Sequence, residues 1–246
     1  MSKQLAGRAA LVTGGSRSIG AAIAKRLAAD GAAVALRTAS PKKAEEVVRV
    51  IEAAVGKALA VPADSGDPAA AKAAVARTAE AFGRLDILVN NAGIAILKPL
   101  NDLTLDDFDR IVAVNVKGVF VATQEAARHM SEGGRIIMIG SVNSDLVPFV
   151  GGSVYDLTKA AIAGFTRGLA RDLGARGITV NNIQPGPVDT DMNPADGSFA
   201  NTLKGMIALG RYGQTHEIAG MVSYLASPEA GYITGASLKI DGGFAA

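Results

Sequence analysis

Three residues could together hold a carbonyl oxygen and move a proton: Ser141, Tyr155 and Lys159. In Val154-Tyr155-Asp156-Leu157-Thr158-Lys159 the phenol and the amine stand one helical turn apart, so on a helix they share a face. A phenol in water ionises at about pH 10 and shuttles protons poorly at neutral pH. A nearby ammonium favours the phenolate. Bringing the phenol to about pH 7 takes about 3 units, roughly 4 kcal/mol, which a poorly hydrated cleft can supply and an exposed surface cannot. A serine hydroxyl at a neighbouring strand end could hold the carbonyl oxygen while the phenol protonates it. The plain alternative is a helix-face pair with an amphipathic tyrosine, and the company these residues keep decides between the two.

The elements that would position them alternate along the chain. Short apolar runs at 9–12, 33–36, 58–61, 87–89, 136–139, 178–183 and 237–240 read as buried strands. Helical stretches at 21–30, 41–54, 69–82, 104–130 and 153–173 separate most of them, with Pro41 suited to a first turn and Gly31 and Gly83 to helix ends. Alternation of this kind predicts a single-domain α/β protein: a Rossmann-type, doubly wound parallel sheet of about seven strands with helices on both faces, spanning 1–246. Ligands of such sheets lie outside the carboxyl ends of the strands. Every polar cluster in the chain falls there: the glycine turn, Arg37, Asp64, Asn90, Ser141 and Pro185-Gly186.

Thr13-Gly14-Gly15-Ser16-Arg17-Ser18-Ile19-Gly20 follows the first strand and opens the first helix, the context a phosphate-binding turn requires. Glycines there let the backbone approach a pyrophosphate, and free N–H groups at the helix start favour the anion. Arg37 ends the second strand where an acid would hydrogen-bond a ribose 2′-hydroxyl, and Arg17 adds a second cation. Two guanidinium forks point to a 2′-phosphate and so to NADP(H); the alternative is two ordinary surface cations. Asn115 sits in an otherwise apolar stretch with Ile111, Val112, Val114, Val116, Val119 and Phe120, where a buried amide must find partners.

Composition excludes several classes. The 246 residues are 49% hydrophobic with a formal net charge of +2, no Cys and no Trp. That charge gives no argument for nucleic acid or an anionic membrane, and the absence of Cys removes disulfides and thiolate chemistry. His129 and His216 have no partner at metal-ligand spacing, so no metal site is expected. No signal-like apolar core opens the chain and no run approaches the ~18 residues of a membrane span, so a cytoplasmic protein is expected.

Taken in order, the glycine turn, Asn90-Asn91-Ala92-Gly93, Asn115, Ser141, Tyr155-x-x-x-Lys159, Pro185-Gly186 and Thr190 resemble the short-chain dehydrogenase/reductase family from near residue 5 to the carboxyl end. The resemblance implies an NADP(H)-dependent oxidoreductase with Tyr155 as general acid/base, Ser141 positioning the substrate oxygen and Lys159 lowering the Tyr155 pKa while binding the nicotinamide ribose. Asn115 would anchor a proton-relay water. The cofactor groove would comprise Gly14, Ser16, Arg17, Ser18, Ile19, Gly20, Arg37, Thr38, Asp64, Ser65, Asn91, Ala92, Gly93, Pro185, Gly186, Val188 and Thr190, together with Tyr155 and Lys159. One departure stands out: Ser18 occupies the place of the family's middle glycine, setting a side chain beside the phosphates.

Two segments should shape the substrate pocket, a loop at about 142–154 and a lid at about 187–206. Leu146-Val147-Pro148-Phe149-Val150 on the first is an apolar run that suits an apolar ketone or β-keto ester, or a neighbouring subunit. Reduction of such a small-molecule carbonyl is the expected activity. A 3-oxoacyl-carrier-protein reductase is the alternative, although only Lys204 and Arg211 offer a basic patch near the lid to an acidic carrier. An NADP-sensing protein without turnover is a reading from a different class, and an epimerase or dehydratase that recycles its cofactor is a third. Relatives of this kind are commonly homotetramers, which is the assembly expected.

Overall fold

A computed structural model describes residues 3–246, leaving Met1 and Ser2 of the polar start outside it. The chain runs β1 (Ala9–Thr13), α1 (Ser18–Ala29), β2 (Ala33–Thr38), α2 (Pro41–Ala53), β3 (Lys57–Pro62), α3 (Pro68–Phe82) and β4 (Ile87–Asn90). It continues through α4 (Leu105–Val112), α5 (Gly118–His129), β5 (Arg135–Ile139), α6 (Ser153–Gly174), β6 (Thr179–Pro185), α7 (Ala200–Met206), α8 (Thr215–Ala226) and β7 (Ser237–Ile240). The strands form one seven-stranded sheet in the order β3-β2-β1-β4-β5-β6-β7, parallel throughout. The order reverses between β1 and β4, which opens a crevice above their carboxyl ends.

The strands read as unbroken apolar runs because both sheet faces are covered. One core packs Val12, Leu36, Val89 and Ile137 against Ile23 and Leu27 of α1, Val47 and Ile51 of α2, and Ile218 and Val222 of α8. The opposite core packs Leu11, Ala35, Leu88 and Ile136 against Val75 of α3, Val119 of α5 and Ile162 of α6. Adjacent residues of one strand thus serve different layers, as the two-residue period of a pleated strand requires.

At the amino ends of the strands a carboxylate ties three of them together. Asp86, at the start of β4, accepts from the Ala9 N–H at 2.8 Å and from Arg84 at 2.7 Å, and pairs with Arg8 at 3.2 Å. Its own backbone bonds to Ala9 and Arg135. Burial pushes this carboxyl up, but the Arg84 and Ala9 hydrogen bonds and the two guanidinium charges outweigh it and hold the group below the usual carboxylate range.

Several elements differ from the sequence expectation. α8 falls in a stretch that carried no assignment, although Gln214 and Glu217 form a reciprocal capping box at its start. The helical stretch over 104–130 is divided by a π-helical turn at Ala113–Lys117. Asn115 lies in this wider turn and is buried, whereas Phe120 points away from that layer and is exposed. Pro62 closes β3 as its last residue, a place an edge strand tolerates. No helix among the described residues is long and apolar enough to cross a membrane, and none of their His, Asp and Glu side chains cluster to hold a metal ion.

Candidate active site

A cavity of about 1070 Å³ runs along the carboxyl ends of the strands. At one end it is walled by the turn after β1. The Gly14 N–H donates to the Arg37 carbonyl at 2.8 Å, and Asn91 Nδ2 donates to the Thr13 and Gly14 carbonyls at 2.9 and 3.2 Å. Thr13 Oγ1 accepts from the Asn91 and Ala92 N–H groups, so the turns after β1 and β4 are clasped across the crevice. Gly20 is required by space: a Cβ there would overlap the Gly14 carbonyl oxygen and stand 2.6 Å from Asn91 Nδ2. Gly20→Val is therefore expected to destabilise the protein by about 2–3 kcal/mol through overpacking, read as a lower denaturant midpoint.

The same end fits a dinucleotide. Arg17 caps α1 with no side-chain hydrogen bond, so the first-turn N–H groups have no acceptor from the cap. Ser18 adopts a left-handed φ of 47°, the conformation a glycine takes in its place without a Cβ. Its Oγ accepts from the Asp191 N–H at 3.4 Å and Arg17 pairs with Asp191 at 3.8 Å, linking this turn to the segment after β6. Thr38 Oγ1 bonds Ser16 Oγ at 2.8 Å and the Ser40 N–H at 2.9 Å, so the end of β2 is fastened to the glycine turn.

At the other end stand Ser141, Tyr155 and Lys159, all lining the cavity. β5 delivers Ser141 and the opening turns of α6 deliver the other two. Lys159 Nζ donates to the Ile139 carbonyl at 3.0 Å and lies 5.6 Å from the centre of the Tyr155 ring. Burial pushes the Lys159 amine down to about 8. Tyr155 differs from expectation: its phenol is shifted up, not down. Burial is the main cause, the Ser141 hydroxyl pulls the other way, and the Asp156 charge pushes up further. The Lys159 charge is itself desolvated and turned toward Ile139, so spacing alone overstated its hold on the phenol.

Asn115 stands behind the wall instead of in the cavity. Its Oδ1 accepts from the Ile94 N–H at 2.9 Å, and its Nδ2 donates to the Ile94 carbonyl at 2.9 Å and to Thr158 Oγ1 at 3.1 Å. It clamps the segment after β4 to α6. Arg37 is likewise not in the cavity: it is 2% exposed, and its Nη2 donates to the Asp64 carbonyl at 3.5 Å. Burial lowers its pKa, with the Asp64 charge opposing. Its backbone, not its guanidinium, serves the glycine turn. Every other residue expected at the cofactor groove and the carbonyl oxygen lines the cavity, and of the apolar run Phe149 and Val150 do so whereas Leu146, Val147 and Pro148 do not.

The cavity also has walls that the motifs did not indicate. Ser40 is fastened to Thr38, Leu97 and Phe244 extend the apolar end, and Asn143 is hydrogen-bonded to Ser141. Ser40 lies close behind Thr38 and Asn143 close behind Ser141, whereas Phe244 arrives from the apolar carboxyl end of the chain, which reads as readily as surface for a neighbouring subunit. Phe244 joins Val142, Leu203, Ile207 and Tyr212 in a small separate core that braces this end.

A nucleotide-sized cavity over the switch point, with Ser141, Tyr155 and Lys159 among its lining residues, defines a dinucleotide-dependent oxidoreductase class. The chain belongs to the short-chain dehydrogenase/reductase family: residues 14–245 match a family model described as enoyl-(acyl carrier protein) reductase, and full-length relatives carry the family name. It is 61% identical to a short-chain dehydrogenase/reductase from Serratia marcescens, with a TM-score of 0.97 covering 98% of this chain and 99% of that one. A short-chain dehydrogenase from Burkholderia cenocepacia, crystallised in complex with NADP, is 55% identical over 99% of this chain and 100% of its own, also with a TM-score of 0.97. An Escherichia coli protein described as a cyclic-di-GMP-binding biofilm dispersal mediator is 47% identical over 98% of both chains.

Proposed function

We propose that this protein catalyses the reversible, NADPH-dependent reduction of an apolar ketone or β-keto ester to a secondary alcohol. One observation carries the reading: Ser141, Tyr155 and Lys159 converge at one end of a single cavity whose other end is the glycine turn with Arg17. When bound, NADPH supplies the hydride. Tyr155 donates the proton to the carbonyl oxygen, Ser141 holds that oxygen by hydrogen bond, and Lys159 orients the ribose and places a cation beside the phenol. Arg17, with the hydroxyls of Thr38 and Ser40, offers charge and donors to a 2′-phosphate. Asn115 acts from behind the wall by fixing the Ile94 segment that the ketone must pass.

Substrate preference follows from the apolar end, lined by Leu97, Phe149, Val150, Met192, Phe199 and Phe244. Phe149, Phe199 and Met192 are substantially exposed and have apolar surface to bury on a substrate. The segment 187–206 serves as the lid and 142–154 as the second pocket wall. Exposed Leu105, Phe108, Phe120 and Leu157 on α4, α5 and α6 offer apolar surface for the expected homotetramer.

NADPH oxidation followed spectrophotometrically over a panel of aryl ketones, β-keto esters and an acyl-thioester mimic tests the reading, with NADH as the comparison cofactor. Turnover with simple ketones and a preference for NADPH supports it, while a strong preference for the thioester moves the assignment to 3-oxoacyl-carrier-protein reduction. The description of the Escherichia coli relative supports a second reading, a nucleotide-binding regulator. Tight NADPH binding with no turnover across the panel would favour that one.

A further inference from the structure

We propose that Asp191 is a placeholder for the cofactor's 2′-phosphate: with Ser18 holding its backbone, its carboxylate occupies Arg17, and NADPH has to displace it. This deepens the reductase reading and rests on its assignment of Arg17 to the 2′-phosphate.

Two polar contacts join the glycine turn to the lid, and both end on Asp191. Ser18 Oγ accepts from the Asp191 N–H at 3.4 Å, and Arg17 Nη1 stands 3.8 Å from Asp191 Oδ2. Both charged side chains are exposed, so the pair adds little to stability. Its place is what matters, because Arg17, Ser18 and Asp191 all line the cavity.

The lid presents Asp191 through its own folding. Thr190 and Asn193 exchange backbone hydrogen bonds at 3.3 and 3.1 Å, which closes a tight turn with Asp191 at its first corner. Tyr212 donates to Asn193 Oδ1 at 3.1 Å, and the Ala195 N–H donates to Asp189 Oδ1 at 3.0 Å, so the turn is pinned on its far side. Of the lid carboxylates, Asp189 and Asp196 stay out of the cavity and Asp191 lines it.

On the other side, Ser18 holds a left-handed φ of 47°, a conformation that strains a residue with a Cβ and leaves glycine unstrained. The hydroxyl present in exchange for that strain is the one that reaches the lid. Glycine at this position would keep the backbone N–H and release Asp191.

A guanidinium is a fork for either a carboxylate or a phosphate, and a carboxylate left beside a phosphate repels it. Of the other cations lining the cavity, Lys159 is turned to the Ile139 carbonyl and Arg110 has no ion pair among the described residues. Arg17 alone of the three is engaged by a carboxylate. NADH lacks the phosphate and has no need to evict it. Asp191 therefore narrows the margin by which NADPH is preferred.

The test is calorimetric titration of the native protein, Asp191→Asn, Arg17→Ala and the double variant, each with NADPH and with NADH. Asp191→Asn keeps the backbone N–H and the side-chain size at an exposed position, so the charge is what changes. It should raise the ratio of NADPH to NADH affinity by about threefold, the scale of an exposed ion pair. In the Arg17→Ala background the same change should leave the ratio within about 1.5-fold. An unaltered ratio in Asp191→Asn would overturn the proposal, as would a rise just as large without Arg17, which would reduce Asp191 to plain repulsion. Ser18→Ala keeps the Cβ and should move the ratio the same way by a smaller factor. Equal weakening of both cofactors there would give the hydroxyl to the pyrophosphate and strike Ser18 from the proposal. Arg17→Ala should weaken NADPH binding by about tenfold or more. Unchanged NADPH binding in that variant would defeat the assignment of Arg17 itself, and the proposal with it. A native protein that binds both cofactors but reduces no ketone would defeat the reductase reading, while the affinity ratio would still judge Asp191.

Discussion

Tyr155→Phe is expected to lower kcat for ketone reduction by about 10³-fold, the scale of a lost general acid, while leaving NADPH affinity within a few-fold. The substitution removes one oxygen and retains the ring, so the 5.6 Å contact with Lys159 and the packing of α6 survive. Only the proton to the carbonyl oxygen is lost. Single-turnover reduction and equilibrium NADPH titration on the same preparation separate the two effects. A variant that retains more than about a tenth of native kcat would assign the proton to another group. Because burial holds the phenol above its ordinary value, native reduction should persist well into the alkaline range before Tyr155 deprotonates and the rate falls.

The second large effect concerns stability as much as rate. Lys159→Met should cut turnover by about 10²-fold or more and yet stabilise the cofactor-free protein. Burial moves the amine from 10.5 down to about 8, so folding disfavours its charged form. Below pH 8 the full cost is present, roughly 3 kcal/mol. Between about 8 and 10.5 the unfolded chain binds more protons than the folded one, so native stability rises with pH across that window. Losing the bond to the Ile139 carbonyl returns about 1 kcal/mol of the gain. The variant should melt roughly 4–8 °C higher at neutral pH, and the gap should narrow as pH climbs through the window. Thermal unfolding at several pH values reads this directly. A variant melting at or below the native temperature at neutral pH would show that the charge is compensated within the fold.

The sheet and most of its helices were legible because a parallel strand buried on both faces is written as an apolar run, and glycine or proline marks its ends. The convergence of Ser141, Tyr155 and Lys159 was legible for a similar reason, since topology dictates which strand ends share an edge. Direction was not. Arg37 lies inside β2, one residue short of its end, and is buried, so that Thr38 and Ser40 line the cavity in its place. The spacing of Tyr155 and Lys159 gives a shared face, but not that Nζ reaches back to Ile139, so the phenol shift came out with the opposite sign. α8 was missed although Ile218, Met221, Val222 and Leu225 recur at helical spacing behind the Gln214 and Glu217 cap. The π-helical turn around Asn115 left no pattern in residue types. Asn143 and Asp156 lie far enough apart in the chain that only the fold reveals them as neighbours.

The knot of Arg8, Arg84 and Asp86 holds β1, β4 and β5 at the amino ends of the strands, while every cavity-lining turn leaves from the opposite ends. Anchoring and chemistry thus draw on separate ends of the same strands. Within the stretches after β5 and β6, the exposed positions Phe149, Val150, Met192 and Phe199 can be rewritten without touching what keeps the sheet in register. For an oxidoreductase lineage this is freedom to explore: new substrates can be admitted at those positions, with little of the stability debt that usually limits such change. A designer seeking a different substrate would confine variation to those stretches and leave the far edge untouched.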